Sequence, residues 1–144
     1  IGAVSAEESS AWDSLSKLSE AINAPTFPDR DFNIIDYGAT GDGSSDARPA
    51  ILSAIERCHQ RGGGRVVIPA GEWHVGGPIR LQSNVNLHAR KGATLKFSTQ
   101  PGDFLPVVLT RFEGTELMNY SPLIYAYEQE NIAITGGGVF DGQA

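Results

Sequence analysis

From Arg65 onward the chain shows no helical pattern, and this limits its folding options more than any other feature. "RVVIPAGEWHV", "PIRLQ", "NVNLHAR", "ATLKFS", "LIYAY", "NIAIT" and "GVFDG" are short runs with apolar residues at every second position, separated by Gly, Asn or Pro. Period-two runs of this length are strands with one buried face. Two stretches repeat one design: Ser83 to Phe97 and Glu130 to Gly142 each read as Asn, an alternating strand, a glycine corner and a second strand. Asn84 and Asn131 are the equivalent positions, and a coil of roughly 20–25 residues fits twice between them. The spacing predicts layers n and n+2 of a β-solenoid. Asparagine suits the corners, because it tolerates the left-handed conformation that a sharp turn between strands demands.

Upstream the pattern is helical. "GATGDGSSD" (Gly38 to Asp46) reads as a turn after a short strand at Phe32, Ile34 and Ile35. Asp46 is a natural N-cap, Pro49 fits a first helical turn, and Gly62 to Gly64 end the helix. Ile51, Leu52, Ile55 and Cys58 form its apolar stripe. A helix over 46–61 is what the open first coil of a solenoid needs as a lid. The glycines before it lack the pattern of a phosphate loop. Farther upstream, Trp12, Leu15, Leu18 and Ile22 form a second stripe on a helix capped at Ser9 or Ser10 and ended by Pro25. Such a short helix needs a docking surface. Residues 1–31 thus read as helix and linker, and residues 32–144 as a cap followed by the first coils of an incomplete β-helix. The last coil is expected to present an uncovered core and free strand edges, with the C-terminal remainder of the β-helix supplied as a second chain.

The balance of 17 acidic and 11 basic residues, net −6, argues against nucleic acid as a partner. No run of about 18 apolar residues is present, so no membrane span is expected. The single cysteine, Cys58, excludes an intrachain disulfide and reads as a packed thiol. His59 and His74 have no partner at metal-ligand spacing, so neither metal nor cofactor is expected. Trp73 reads as core.

The stretch from "FNIIDYGATGDGSSD" through "KFS", followed by "TRFEGTELMNYSPLIYAYEQENIAITGGGVFDGQA", resembles the polygalacturonase family of pectin glycoside hydrolases, most closely its bacterial members. The resemblance covers Phe32 to Ala144. It implies a right-handed parallel β-helix that hydrolyses α-1,4-galacturonan with inversion, secreted or periplasmic because its substrate is a polymer. Family catalysis uses aspartates in Asn-Thr-Asp and Asp-Asp motifs, a His in Gly-His-Gly and an Arg-Ile-Lys motif. None occurs in this sequence, so no catalytic residue is assigned, the catalytic aspartates are expected downstream, and the chain alone is expected to be inactive. The alternatives are a non-catalytic polysaccharide-binding or tailspike-type β-helix, and a polysaccharide lyase on the same fold.

A polygalacturonate chain bears one carboxylate per sugar, so its cleft needs cations. Arg111, Glu113, Asn119 and Tyr120 lie in the long loop from Gln100 to Pro122 and are the candidate substrate-binding residues. The Arg111 guanidinium can take a uronate in two hydrogen bonds. Glu113 can accept sugar hydroxyls or hold Arg111, Asn119 adds a hydrogen bond and Tyr120 a stacking face. The competing reading pairs Arg111 with Glu113 or with water. If the loop blocks one end of the cleft, action is exo. Arg80, His88, Arg90, Lys91 and Lys96 read as a solvated outer face, and Asp141 as a turn residue.

Overall fold

The computed structural model describes residues 6–143. Short parallel strands stack into successive coils that wind through three sheets. The first sheet orders β1 (Asp31–Asn33), β3 (Gly64–Ile68), β6 (Val85–Ala89) and β11 (Ala133–Gly136) side by side. The second orders β2 (Asp42–Asp46), β4 (Gly71–Val75), β7 (Ala93–Phe97) and β12 (Val139–Asp141), and the third pairs β5 (Ile79–Arg80) with β10 (Ile124–Tyr125). Every pairing within these sheets is parallel. Sequence-adjacent strands therefore lie in different sheets, which is the arrangement expected of a solenoid.

The period-two pattern sets the interior. Val66, Leu87 and Ile134 stack in register in the first sheet, Trp73, Leu95 and Phe140 in the second, and Ile79 and Ile124 in the third. Val66, Leu87, Leu95 and Ile79 are fully buried, each contributing about 1.5–3 kcal/mol of apolar transfer. Trp73 is core as expected, its indole N–H donating to the Pro69 carbonyl at 2.9 Å. Ile134 follows Leu87 in the same column, yet it is 50% exposed, because its strand is the outermost of its sheet.

Helix α2 (Arg48–Gln60) closes the other end. It lies over β1, β3, β5 and β6 with Ala50, Ile51, Ala54, Ile55 and Cys58 buried. Burial pushes the Cys58 thiol up to about 11. Asp46 precedes the helix instead of starting it: it ends β2, and one carboxylate oxygen accepts from the Arg48 and Gly76 amides at 2.9 and 2.8 Å. The expected turn over Gly38 to Asp46 thus contains a strand. Hydrogen bonds from Ser45, first from its hydroxyl, and from Ser44 hold Asp42 there and keep its carboxyl well below the usual range. The expected strand at Phe32 to Ile35 divides, because Asn33 caps a 3-10 turn over Ile34–Tyr37.

Asn84 and Asn131 occupy the corners in the left-handed conformation, φ 68° and 51°. The Asn131 side-chain amide donates to Asn84 Oδ1 at 3.0 Å, so these corners belong to adjacent coils. That corrects the two-layer spacing: β6 and β11 pair directly, and the extra residues between them form an antiparallel hairpin, β8 (Val108–Phe112) and β9 (Thr115–Asn119). Asn131 also exchanges hydrogen bonds with the backbone of Thr26, at 2.9 and 3.2 Å. Arg65 pairs with Asp31 at 2.7 Å and with Asp29 at 3.4 Å. The 23–30 linker therefore runs along the outside of the stack, from the last coil back to the first. Ahead of it, α1 (Ala6–Ala21) begins before Ser9 and Ser10, so neither is its cap. Its stripe is undocked, with Trp12 70% and Leu18 61% exposed.

Gly136 leaves β11 at φ +100°, where a Cβ would lie 1.9 Å from the Ala89 carbonyl oxygen of the coil below. Gly136→Ala is expected to destabilise by more than the roughly 1–2 kcal/mol of left-handed strain alone. Gly137→Ala meets only ordinary contacts, from 3.6 Å, and is expected to stay within about 1 kcal/mol of the parent. Urea denaturation of the two variants measures the contrast.

Candidate functional site

The loop from Gln100 to Pro122 is ordered by its own sequence. Val108 to Phe112 pairs with Asn119 to Thr115 across a two-residue turn, Glu113-Gly114. Both turn residues have positive φ, 49° and 85°, as a hairpin whose twist matches its strands requires. A lone two-stranded hairpin is marginal in water. This one is tied to the solenoid by the Tyr125 hydroxyl, which donates to the Leu109 carbonyl at 2.9 Å, and by the Ser121 amide, which donates to Phe104 at 3.0 Å.

Between the hairpin and the third sheet lies a groove of about 360 Å³. The hairpin contributes Arg111 and Glu116, and the segment after Pro122 contributes Tyr125 and Tyr127. Arg111 and Glu116 face one another across the strands. Arg111 Nε donates to the Gly114 carbonyl at 3.3 Å, which orients the guanidinium. Among the described residues its two terminal nitrogens have no partner. Arg80 pairs in register with Tyr125, on the same outer face of the sheet and one strand spacing away, about 4.8 Å. The groove thus combines one cation, a carboxylate and two phenol rings. Such a set can grip a carboxylate, accept from hydroxyls and pack against a sugar ring.

Of the candidate binding residues, Arg111 lines this groove. Glu113 sits at the hairpin tip, Asn119 ends β9 with Oδ1 accepting from the Tyr120 amide at 2.8 Å, and Tyr120 follows, half exposed. None of these three is on the groove wall. Arg111 bonds the backbone of Gly114 where Glu113 was a candidate partner. Glu116, Tyr125 and Tyr127 were missed. Their signal was the alternation in "TELMN" and "IYAY", whose meaning depends on which strands face each other. Of the basic residues read as an outer face, Arg80 lies in register with Tyr125 in the third sheet, Lys96 pairs with Glu72 at 3.2 Å and His88 Nδ1 meets the Thr135 hydroxyl at 2.7 Å. Asp141 ends β12, and its carboxylate accepts from the Gln143 amide at 2.8 Å. A larger cavity of about 570 Å³ borders the last coil, but Phe104, Pro122 and Leu123 make it apolar, and no charged residue lines it.

Residues 32–121 match the model of the family described as rhamnogalacturonase A/epimerase, pectate lyase-like. The chain belongs to this family. Within the pectate lyase-like group, it is similar to the structure of an exopolygalacturonase from Thermotoga maritima, 49% identical with a TM-score of 0.82, over 90% of this chain and 29% of that one. An exo-poly-alpha-D-galacturonosidase of Dickeya chrysanthemi is 32% identical over 118 residues, 76% of this chain and 19% of its own length. Mannuronan C5-epimerase AlgE3 of Azotobacter vinelandii is 55% identical over 62 residues, 38% of this chain and 3% of the epimerase. The expected kinship with the polygalacturonases is shown. The chain spans under a third of each of these relatives.

Tyr125→Phe removes the hydroxyl that anchors the hairpin. It is expected to loosen the hairpin by about 0.5–1.5 kcal/mol. Amide hydrogen exchange should accelerate at residues 108–119 and remain unchanged in β3 and β6. Equal acceleration in the coils would show that the hydroxyl supports the whole solenoid.

Proposed function

We propose that this chain is the capped opening section of a right-handed β-helix glycoside hydrolase that cleaves α-1,4-galacturonan with inversion. The groove between the hairpin and the third sheet holds part of the substrate. The observation that carries this reading is the oriented Arg111 guanidinium, free at its terminal nitrogens among the described residues and set beside Glu116, Tyr125 and Tyr127. A uronate matches that set, with its carboxylate on the guanidinium and its ring against a phenol. The similarity to exopolygalacturonases supports galacturonan as the polymer and exo as the mode, since a hairpin standing beside the groove narrows one approach to it.

An inverting hydrolase needs an acid and a base about 6.5–9.5 Å apart. The groove offers one carboxylate, so the catalytic pair belongs to further coils. The exposed Ile134 and the free edges of β11 and β12 are the surface on which such coils would stack. A polymeric substrate places the protein outside the cytoplasm, secreted or periplasmic. The similarity to mannuronan epimerases favours a second reading, in which the groove holds a different polyuronate and another chemistry follows.

Arg111→Ala is expected to weaken tetragalacturonate binding by about 1.5–3 kcal/mol, the scale of hydrogen bonds to charged groups, as measured by calorimetric titration. Unchanged affinity removes Arg111 from the site. In protein that includes the further coils, proton NMR should show galacturonate released with inversion at the anomeric carbon. An unsaturated product would instead establish a lyase.

A further inference from the structure

At the capped end of the stack, away from the hairpin, lies a second cavity of about 320 Å³. Arg30, Asp31 and Phe32 line it from the linker and β1, Tyr37 from the 3-10 turn, and Arg57 and Arg61 from the end of α2. Three of the chain's 11 basic residues thus converge on one small space in a protein of net charge −6. Among the described residues none of these three guanidinium groups has a hydrogen-bond or ion-pair partner. The one carboxylate at the cavity, Asp31, is already held by Arg65 at 2.7 Å.

Helix geometry explains only part of this cluster. Cations are favoured near a helix C-terminus, which accounts for Arg57 and Arg61 singly. Together they are four residues apart on one face, a spacing at which like charges repel. The nearest acid on the helix does not relieve them, because Glu56 accepts from Gln60 at 3.2 Å. Arg30 comes from the linker, so the helix dipole does not explain its presence. The walls also carry two partly buried rings, Phe32 and Tyr37. Unpaired guanidinium forks beside aromatic faces match a ligand with an oxyanion attached to a ring that offers a C–H face for packing.

The geometry points to this cavity as a second saccharide site, one that binds a uronate unit through its carboxylate and packs the sugar ring against Phe32 and Tyr37. The choice of a uronate, over another acidic sugar, rests on the galacturonan reading. A polymer held at the cap as well as in the groove has its second contact at high effective concentration, so the two sites together retain long chains better than short ones.

The test is calorimetric titration of tetragalacturonate into the Arg111→Ala protein, which lacks the groove cation. Binding is expected to persist, and to weaken at least tenfold when Arg57→Ala and Arg61→Ala are added. Both side chains are exposed, and circular dichroism checks that the fold survives. Arg57→Lys with Arg61→Lys, which keeps the charge but loses the forks, should fall between. Neutral maltotetraose should not bind. The site is overturned if the double alanine variant binds as tightly as its parent, if maltotetraose binds equally well, or if inorganic phosphate alone matches the affinity of the sugar. Because the readout is binding in a groove-deficient background, a failure to see hydrolysis would count against the galacturonan reading and not against this cavity.

Discussion

The rest of the structure depends on the parallel hydrogen-bonded ladder between successive coils. Each strand of a coil finds its partner in the coil before it, so every inward side chain sits on its counterpart below. Val66, Leu87 and Ile134 form such a column, as do Trp73, Leu95 and Phe140. The core is a stack of these layers and not a closed shell, so it must be sealed at each end. Helix α2 seals one end by burying Ile51, Ile55 and Cys58. At the other end Ile134 is buried on one side only.

This ladder also governs where function can sit. Inward positions are committed to packing, and the outward positions of neighbouring strands form rows about 4.8 Å apart. Arg80 and Tyr125 are brought together in this way despite their distance in sequence. The hairpin adds what a plain coil lacks: a wall standing away from the sheet, carrying Arg111 and Glu116 over Tyr125 and Tyr127. An insertion between two coils need not disturb the stack, because the register resumes where β10, β11 and β12 find β5, β6 and β7. The hairpin thus alters the outer face of the chain without altering its core.

Much of the solenoid was legible in the residues. Period-two runs in Val66–Ile68, Leu87–Ala89 and Leu95–Phe97 mark inward positions, and Asn84 and Asn131 mark corners because few other residues accept a left-handed backbone. The cap helix was legible from Asp46, Pro49 and the Gly62–Gly64 stop. The count of coils was not. A spacing of two coils and a spacing of one coil plus an insertion look alike in one dimension, since both place the same number of residues between equivalent corners.

The sequence by itself determined which residues face inward, where the chain turns, and that the protein is acidic overall. Those properties are local, fixed by side-chain volume, backbone preference and charge. Only the tertiary structure decided that Val108 to Asn119 is a hairpin anchored by Tyr125, that Arg111 faces Glu116 and the tyrosines while Glu113 is carried to the tip, and that Arg30 joins Arg57 and Arg61 at the cap. Each of these pairings joins residues from different elements, and their positions follow from which coil stacks on which.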